Sequence, residues 1–162
     1  MPHYNVLFFC TDNSARSIMA EAIMNRKGGA NFTAYSAGSH TTGSVRPEAI
    51  NQIEKAGLSA ANARSKSWDE FSTAEAPHLS FVFMVCDNAA NEVCPLWPGQ
   101  PKTAHWGIPD PAAIQETAEE IERAYSQTFA ALDRRISLFL CLPLAALDSF
   151  ALQKQIDEIG KK

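Results

Sequence analysis

The chain has 162 residues, 46% of them hydrophobic and 20% charged, with 14 Lys+Arg against 18 Asp+Glu for a net charge of −4. That composition excludes general disorder, and the length predicts one domain, residues 1–162, burying about 70% of the surface its unfolded chain would expose. The mild acidity argues against nucleic acid and against an anionic membrane surface, because both need a basic face.

Tyr4 to Phe9 is a short apolar run suited to a strand buried on both faces. Arg16 to Arg26 reads as a helix, with Ile18, Met19, Ala22 and Ile23 at helical spacing and Gly28-Gly29 as its stop. Phe32 to Ala37 is a second strand, ended by Gly38. Pro47 opens a second helix carrying Ile50, Ile53 and Leu58. Ser65 to Phe71 is polar and turn-like, with a short helix from Trp68. Leu79 to Val85 is the strongest strand, and Thr103 to Trp106 is a fourth, after a loop rich in Pro and Gly. A long helical pattern runs from Ala112 to about Leu140, and Leu142 to Ile159 forms another behind Pro143. Strands alternating with helices predict a three-layer α/β/α domain with a four-stranded parallel sheet.

The stretch Ile136 to Leu147, broken by Ser137 and Pro143, falls short of the roughly 20 apolar residues that span a bilayer. The first residues, Met-Pro-His-Tyr-Asn, carry no basic n-region of a secretory signal. The expected compartment is therefore cytoplasmic and reducing. There the four cysteines (Cys10, Cys86, Cys94, Cys141) are reactive, metal-binding or buried rather than permanently bridged.

The most informative segment is Cys10-Thr11-Asp12-Asn13-Ser14-Ala15-Arg16-Ser17, between the first strand and the first helix. A five-residue loop there can curl so that its backbone N–H groups form a cup for a tetrahedral oxyanion, over the positive end of the helix dipole. Arg16 can fork two N–H bonds onto the anion. The same field lowers the pKa of the Cys10 thiol, giving a thiolate nucleophile at neutral pH. Ser17 can donate a hydroxyl hydrogen bond to the sulfur, and Asn13 tolerates the left-handed backbone that such a curl needs. The bland alternative is a buried strand-end cysteine beside a solvated arginine.

This segment, with its C-x5-R-S near the N-terminus and the following Met19-Ala20-Glu21, resembles the phosphate-binding loop of the low-molecular-weight protein tyrosine phosphatase superfamily. Cys-Thr-x-Asn-Ser-Ala-Arg-Ser looks most like the thioredoxin-coupled arsenate reductases built on that fold. The similarity continues through Tyr35-Ser36-Ala37-Gly38, Arg64-Ser65-Lys66-Ser67-Trp68, Val85-Cys86-Asp87, Cys94-Pro95 and His105-Trp106, to about Pro111.

The resemblance implies that Thr11, Asp12, Asn13, Ser14, Ala15, Arg16 and Ser17 bind a small oxyanion: arsenate, or phosphate or sulfate as its analogue. It implies Asp110, in an Asp-Pro pair, as the acid that protonates the departing oxygen. Read alone, Asp110 could equally cap a helix beginning near Ala112. Tyrosine phosphatases of the family commonly carry aromatic residues after this pair, whereas Pro111 is followed by Ala112 and Ala113, which suits a small inorganic anion. Asp12 departs from the small residue common in the family, and its side chain is expected to face water.

Parallel strand C-termini gather at one sheet edge, which brings Cys86 towards the Cys10 loop. The resemblance implies a relay in which Cys10 attacks arsenate, Cys86 attacks Cys10, and Cys94 attacks Cys86. Thioredoxin, or a glutathione/glutaredoxin system, is then the external reductant and no bound cofactor is required. A zinc site on Cys86, Cys94 and His105 is disfavoured by the seven intervening residues and the missing fourth ligand. Cys141, among leucines and Phe139, is expected to lie in the core, as are Met19, Met24, Phe81, Phe83 and Met84, and Trp106 is expected to pack. The resemblance implies that Ser36 braces the loop by hydrogen bonding, while read alone it is simply a strand-end serine. Two other readings stand beside the reductase: a phosphomonoesterase whose extra cysteines protect Cys10 by reversible disulfide formation, and a non-catalytic oxyanion sensor.

Overall fold

The computed structural model describes residues 3–11, 13–41, 43–61, 63–71, 73, 76–86, 101–109, 111 and 116–161. Four strands, β1 (Tyr4–Cys10), β2 (Phe32–Gly38), β3 (Phe81–Cys86) and β4 (Lys102–Ile108), form one parallel sheet in the order β2-β1-β3-β4. Four helices accompany it: α1 (Arg16–Lys27), α2 (Pro47–Lys55), α3 (Ala118–Leu140) and α4 (Ser149–Ile159). The expected four-stranded parallel α/β architecture is therefore present, with β1 and β3 in the two central positions.

Strand pairing sorts the side chains onto two faces, because the register matches Tyr4 with Phe32, Val6 with Phe81 and Phe8 with Phe83. Phe8, Phe83 and Trp106 meet Phe139 of α3 on one face. The Phe83 and Trp106 rings stack at 3.9 Å, and Phe139 stands edge-on to Phe83 at 5.2 Å. On the other face Phe9 stacks on Trp68 at 5.2 Å and Tyr35 meets Phe71. Both covering residues belong to the 3-10 turn Trp68–Phe71, where a short helix is expected. Phe8, Phe9, Phe83, Trp106 and Phe139 are fully buried. At about 1.5–3 kcal/mol per buried large apolar side chain, this sandwich is what holds the central strands in place.

Several boundaries differ from expectation for local reasons. The long helix begins at Ala118 rather than Ala112, because the Thr117 side chain accepts the Glu120 N–H and Glu119 and Glu120 favour the first turn. The last helix begins at Ser149 rather than Leu142, where Asp148 accepts the Ala151 N–H at 2.7 Å. Residues 142–148 are turns behind Pro143. Cys141 is exposed, not core. It is the C-cap of α3, where the chain turns away from the apolar face that buries Phe139. Met84 is half-buried, while Met19, Met24, Phe81 and Phe83 lie in the core as expected.

Trp106 packs as anticipated, and its indole N–H donates to the Ile156 carbonyl at 2.9 Å, tying α4 to β4. Gln153 of α4 donates to the Thr103 carbonyl on the outer strand, so α4 shields part of a sheet edge that would otherwise present backbone groups to another chain. Among the described residues no helix is long and apolar enough to cross a membrane.

Phe83→Ala is expected to lower unfolding free energy by about 3–5 kcal/mol, read as a drop in urea midpoint at unchanged m-value.

Candidate functional site

Cys10 is the last residue of β1, fully buried, and the chain leaves it at the C-terminal edge of the sheet. Arg16 opens α1 and is only 6% exposed. Among the described residues no side chain caps this helix, unlike α3 and α4, and its first turn, unlike that of α3, holds no acidic residue. The positive end of the α1 dipole lies at this turn, where it favours an anion.

The loop between them is held by its carbonyls. Thr11 O accepts from the His40 N–H at 2.8 Å, Ser14 O from Arg46 at 2.9 Å, and Ala15 O from Met19 at 2.9 Å. In a planar trans peptide the next N–H points opposite to the carbonyl. The Ala15 and Arg16 N–H groups are therefore directed away from Arg46 and from the body of α1. Asn13 sits at φ 49°, the left-handed conformation expected of it and the sole positive φ among described non-glycine residues. Its side chain is buried and doubly engaged: Oδ1 accepts the Lys66 N–H and Nδ2 donates to Ser17 Oγ, each at 2.7 Å. Ser17 Oγ thus accepts a hydrogen bond from within the loop.

Gly38, the last residue of β2, presses against the same loop. A Cβ there would lie 2.6 Å from Thr11 O and 2.7 Å from Cys10 O, so only glycine allows this approach. Arg16 donates from Nη1 to the Ile108 carbonyl at 2.9 Å, linking the guanidinium to the end of β4. Arg135 of α3 donates to the carbonyls of Trp106 and Gly107. The segment leading towards Asp110 is therefore held by two buried cations.

Ser36 does not bond the loop directly, as had been expected. Its hydroxyl donates to Glu21 Oε1 at 3.1 Å and accepts from Lys66 Nζ at 3.0 Å. Lys66 Nζ also donates to the Arg64 carbonyl at 2.9 Å and lies 3.9 Å from Glu21. Burial pushes the Glu21 carboxyl above its ordinary value of 4.5, with Lys66 and the Ser36 hydroxyl pulling it back. Burial likewise holds the Lys66 ammonium below the usual lysine range, against the attraction of Glu21. Neither Lys66 nor Glu21 stands out as a loop support in the sequence: Lys66 lies in a polar stretch and Glu21 on a helix, and only tertiary packing brings them together.

The backbone of Cys86 ends β3, the strand beside β1. Phe9 is in register with Met84, so Cys10 and Cys86 terminate adjacent strands one residue out of step. At ordinary strand spacing such positions lie about 6 Å apart at Cα. Asp12, Cys94, Asp110, Ala112 and Ala113 lie outside the described residues.

Residues 5–148 match the family described as low molecular weight phosphotyrosine protein phosphatase. An arsenate reductase of Bacillus subtilis is 36% identical over 115 residues, covering 71% of this chain and 79% of its own. One from Halalkalibacterium halodurans is 32% identical over 134 residues, covering 83% and 93%. Among solved structures, an arsenate reductase from Archaeoglobus fulgidus superposes with a TM-score of 0.61 at 25% identity, covering 82% of this chain and 98% of that one.

Two outcomes follow from this geometry. Gly38→Ala should destabilise by about 1–3 kcal/mol, because the methyl meets backbone rather than a movable side chain, and thermal unfolding reads it. For Glu21, the raised value means the folded chain takes up a proton more readily than the unfolded one. Wild type should therefore gain stability relative to Glu21→Gln as pH falls towards 4.5 and lose that gain as pH rises through the folded value. Urea titrations across a pH series measure the slope, and the opposite slope would contradict it.

Proposed function

The chain belongs to the low molecular weight phosphotyrosine protein phosphatase family, and we propose that within it this protein is an arsenate reductase using Cys10, Cys86 and Cys94 as a disulfide relay. The observation that carries the reading is the placement of Cys10 and Cys86 at the ends of adjacent parallel strands, beside a loop whose carbonyls are bonded outward at the start of α1. The arsenate reductases among its relatives support the same chemistry.

In this reading the Ala15 and Arg16 N–H groups and the Arg16 guanidinium hold the arsenate oxygens, and the helix dipole favours the Cys10 thiolate. Cys10 Sγ attacks arsenic, a sulfur–arsenic bond forms, and one arsenic–oxygen bond breaks. Asp110 gives its proton to that oxygen, which leaves as water. Cys86 then attacks Cys10 Sγ. A Cys10–Cys86 disulfide forms, the sulfur–arsenic bond breaks, and its electron pair stays on arsenic, which departs as arsenite. Cys94 attacks Cys86, releasing Cys10 as a thiolate and leaving a Cys86–Cys94 disulfide. Two thiols have supplied the two electrons. Thioredoxin, or a glutathione/glutaredoxin system in a reducing cytoplasm, restores them. The whole chain, residues 1–162, is proposed to act as one domain.

A phosphatase reading is favoured by the family match itself, since arsenate and phosphate are both tetrahedral and one cup holds either. There Cys10 forms a phosphocysteine that water hydrolyses, and Cys86 and Cys94 serve redox protection.

A single-turnover experiment separates the two. Reduced protein freed of reductant is given arsenate under argon, then alkylated and mapped by mass spectrometry. The reductase reading expects two thiols lost as a Cys86–Cys94 bridge, with arsenite formed in equal amount. Cys10→Ser should abolish arsenite formation, and Cys86→Ser should stop it while leaving p-nitrophenyl phosphate turnover at Cys10. All thiols retained without arsenite, together with p-nitrophenyl phosphate hydrolysis, would establish the phosphatase instead.

A further inference from the structure

Behind the Cys10 loop lies a buried polar cluster that the reduction chemistry does not use. Lys66 is 6% exposed and is engaged through all three of its polar handles. Its N–H donates to Asn13 Oδ1 at 2.7 Å, and its carbonyl accepts the Gly38 N–H at 2.9 Å. Its ammonium donates to Ser36 Oγ and to the Arg64 carbonyl, with Glu21 of α1 at 3.9 Å. Ser36 and Gly38 belong to β2, Glu21 to α1 and Asn13 to the loop. One residue therefore ties together the strand, the helix and the turn that shape the oxyanion cup. Ser67, next in the chain, bridges Gly38 in parallel, which keeps the Lys66 backbone in line with the end of β2.

An isolated buried ammonium is costly, so a lysine in this place is kept by what it holds. Without its side-chain anchor, residues 64–67 would be held to β2 only through the Gly38 N–H and the Gly38–Ser67 bridge, with no tie to Ser36 or Glu21. The Lys66 N–H that fixes Asn13 would then be less firmly placed. A non-glycine residue at positive φ persists where the surroundings over-determine it, and Asn13 is such a residue.

We infer that Lys66 is a positioning residue for oxyanion binding, its ammonium anchoring to Ser36 and Glu21 the backbone N–H that holds Asn13 in its left-handed turn. This rests on the proposed oxyanion-binding role of the loop and assigns Lys66 a part in it.

The test uses the full-length reduced protein with inorganic phosphate as the probe. Calorimetry gives the phosphate Kd, and the rate of iodoacetamide labelling of the Cys10 peptide, followed by mass spectrometry against pH, reports its thiolate. Lys66→Met removes the ammonium and keeps the chain length. It is expected to raise the phosphate Kd about tenfold and to move the Cys10 labelling profile to higher pH, because misaligned loop N–H groups stabilise neither anion. Ser36→Ala, a milder change that serves if Lys66→Met does not fold, is expected to raise Kd about threefold in the same direction. Methylammonium chloride, but not sodium chloride at equal ionic strength, should restore part of the affinity to Lys66→Ala. If the folded variants lose thermal stability yet keep wild-type Kd and labelling profile, Lys66 is only a packing residue and the inference falls. If wild-type protein itself binds no phosphate, the oxyanion reading of the loop falls, and the role of Lys66 with it.

Discussion

The hydrogen bond from the Lys66 N–H to Asn13 Oδ1 connects the scaffold to the loop proposed to bind the oxyanion. A turn that directs N–H groups inward has to direct carbonyls outward, and those carbonyls need donors elsewhere. Here His40, Arg46 and Met19 supply them, while Asn13 absorbs the backbone reversal at positive φ. Each contact is worth about 0.5–1.5 kcal/mol alone, but together they leave the loop one arrangement.

The sheet beneath serves the same end. Because all four strands are parallel, their C-termini open on one edge, and the residues that end them collect there: Cys10 from β1, Gly38 from β2, Cys86 from β3 and Ile108 from β4. Gly38 lets the loop close against β2, and Ile108 supplies the carbonyl to which Arg16 is anchored. The aromatic layer of Phe8, Phe83, Trp106 and Phe139 keeps this edge rigid from below. Arg135 extends that layer to the end of β4, so the core and the site share residues rather than merely adjoining.

Much of this was legible in the chain. The run Tyr4–Cys10, the polar turn and the helix from Arg16 follow from hydrophobic periodicity and helix signals, and the left-handed Asn13 follows from the short list of residues that tolerate positive φ. Boundaries were less legible where the deciding groups were caps. Thr117 and Asp148 set where α3 and α4 begin, and apolar spacing upstream of them pointed too early. Cys141 illustrates the same limit, since its neighbours are apolar but its place at a helix end faces it outward.

By itself the sequence determined the alternation of strands and helices and the family, and it singled out Cys10 and Arg16 as the candidate nucleophile and anion clamp, because these rest on local spacing and residue chemistry. Only the tertiary structure decided which distant groups support them. Ser36 reaches Glu21 and Lys66 rather than the loop, Lys66 reaches Asn13 across 53 positions, and Arg16 reaches Ile108 across 92. Those partners are set by strand order and register, which arise from the packing of whole faces and leave no local trace in the residues they join.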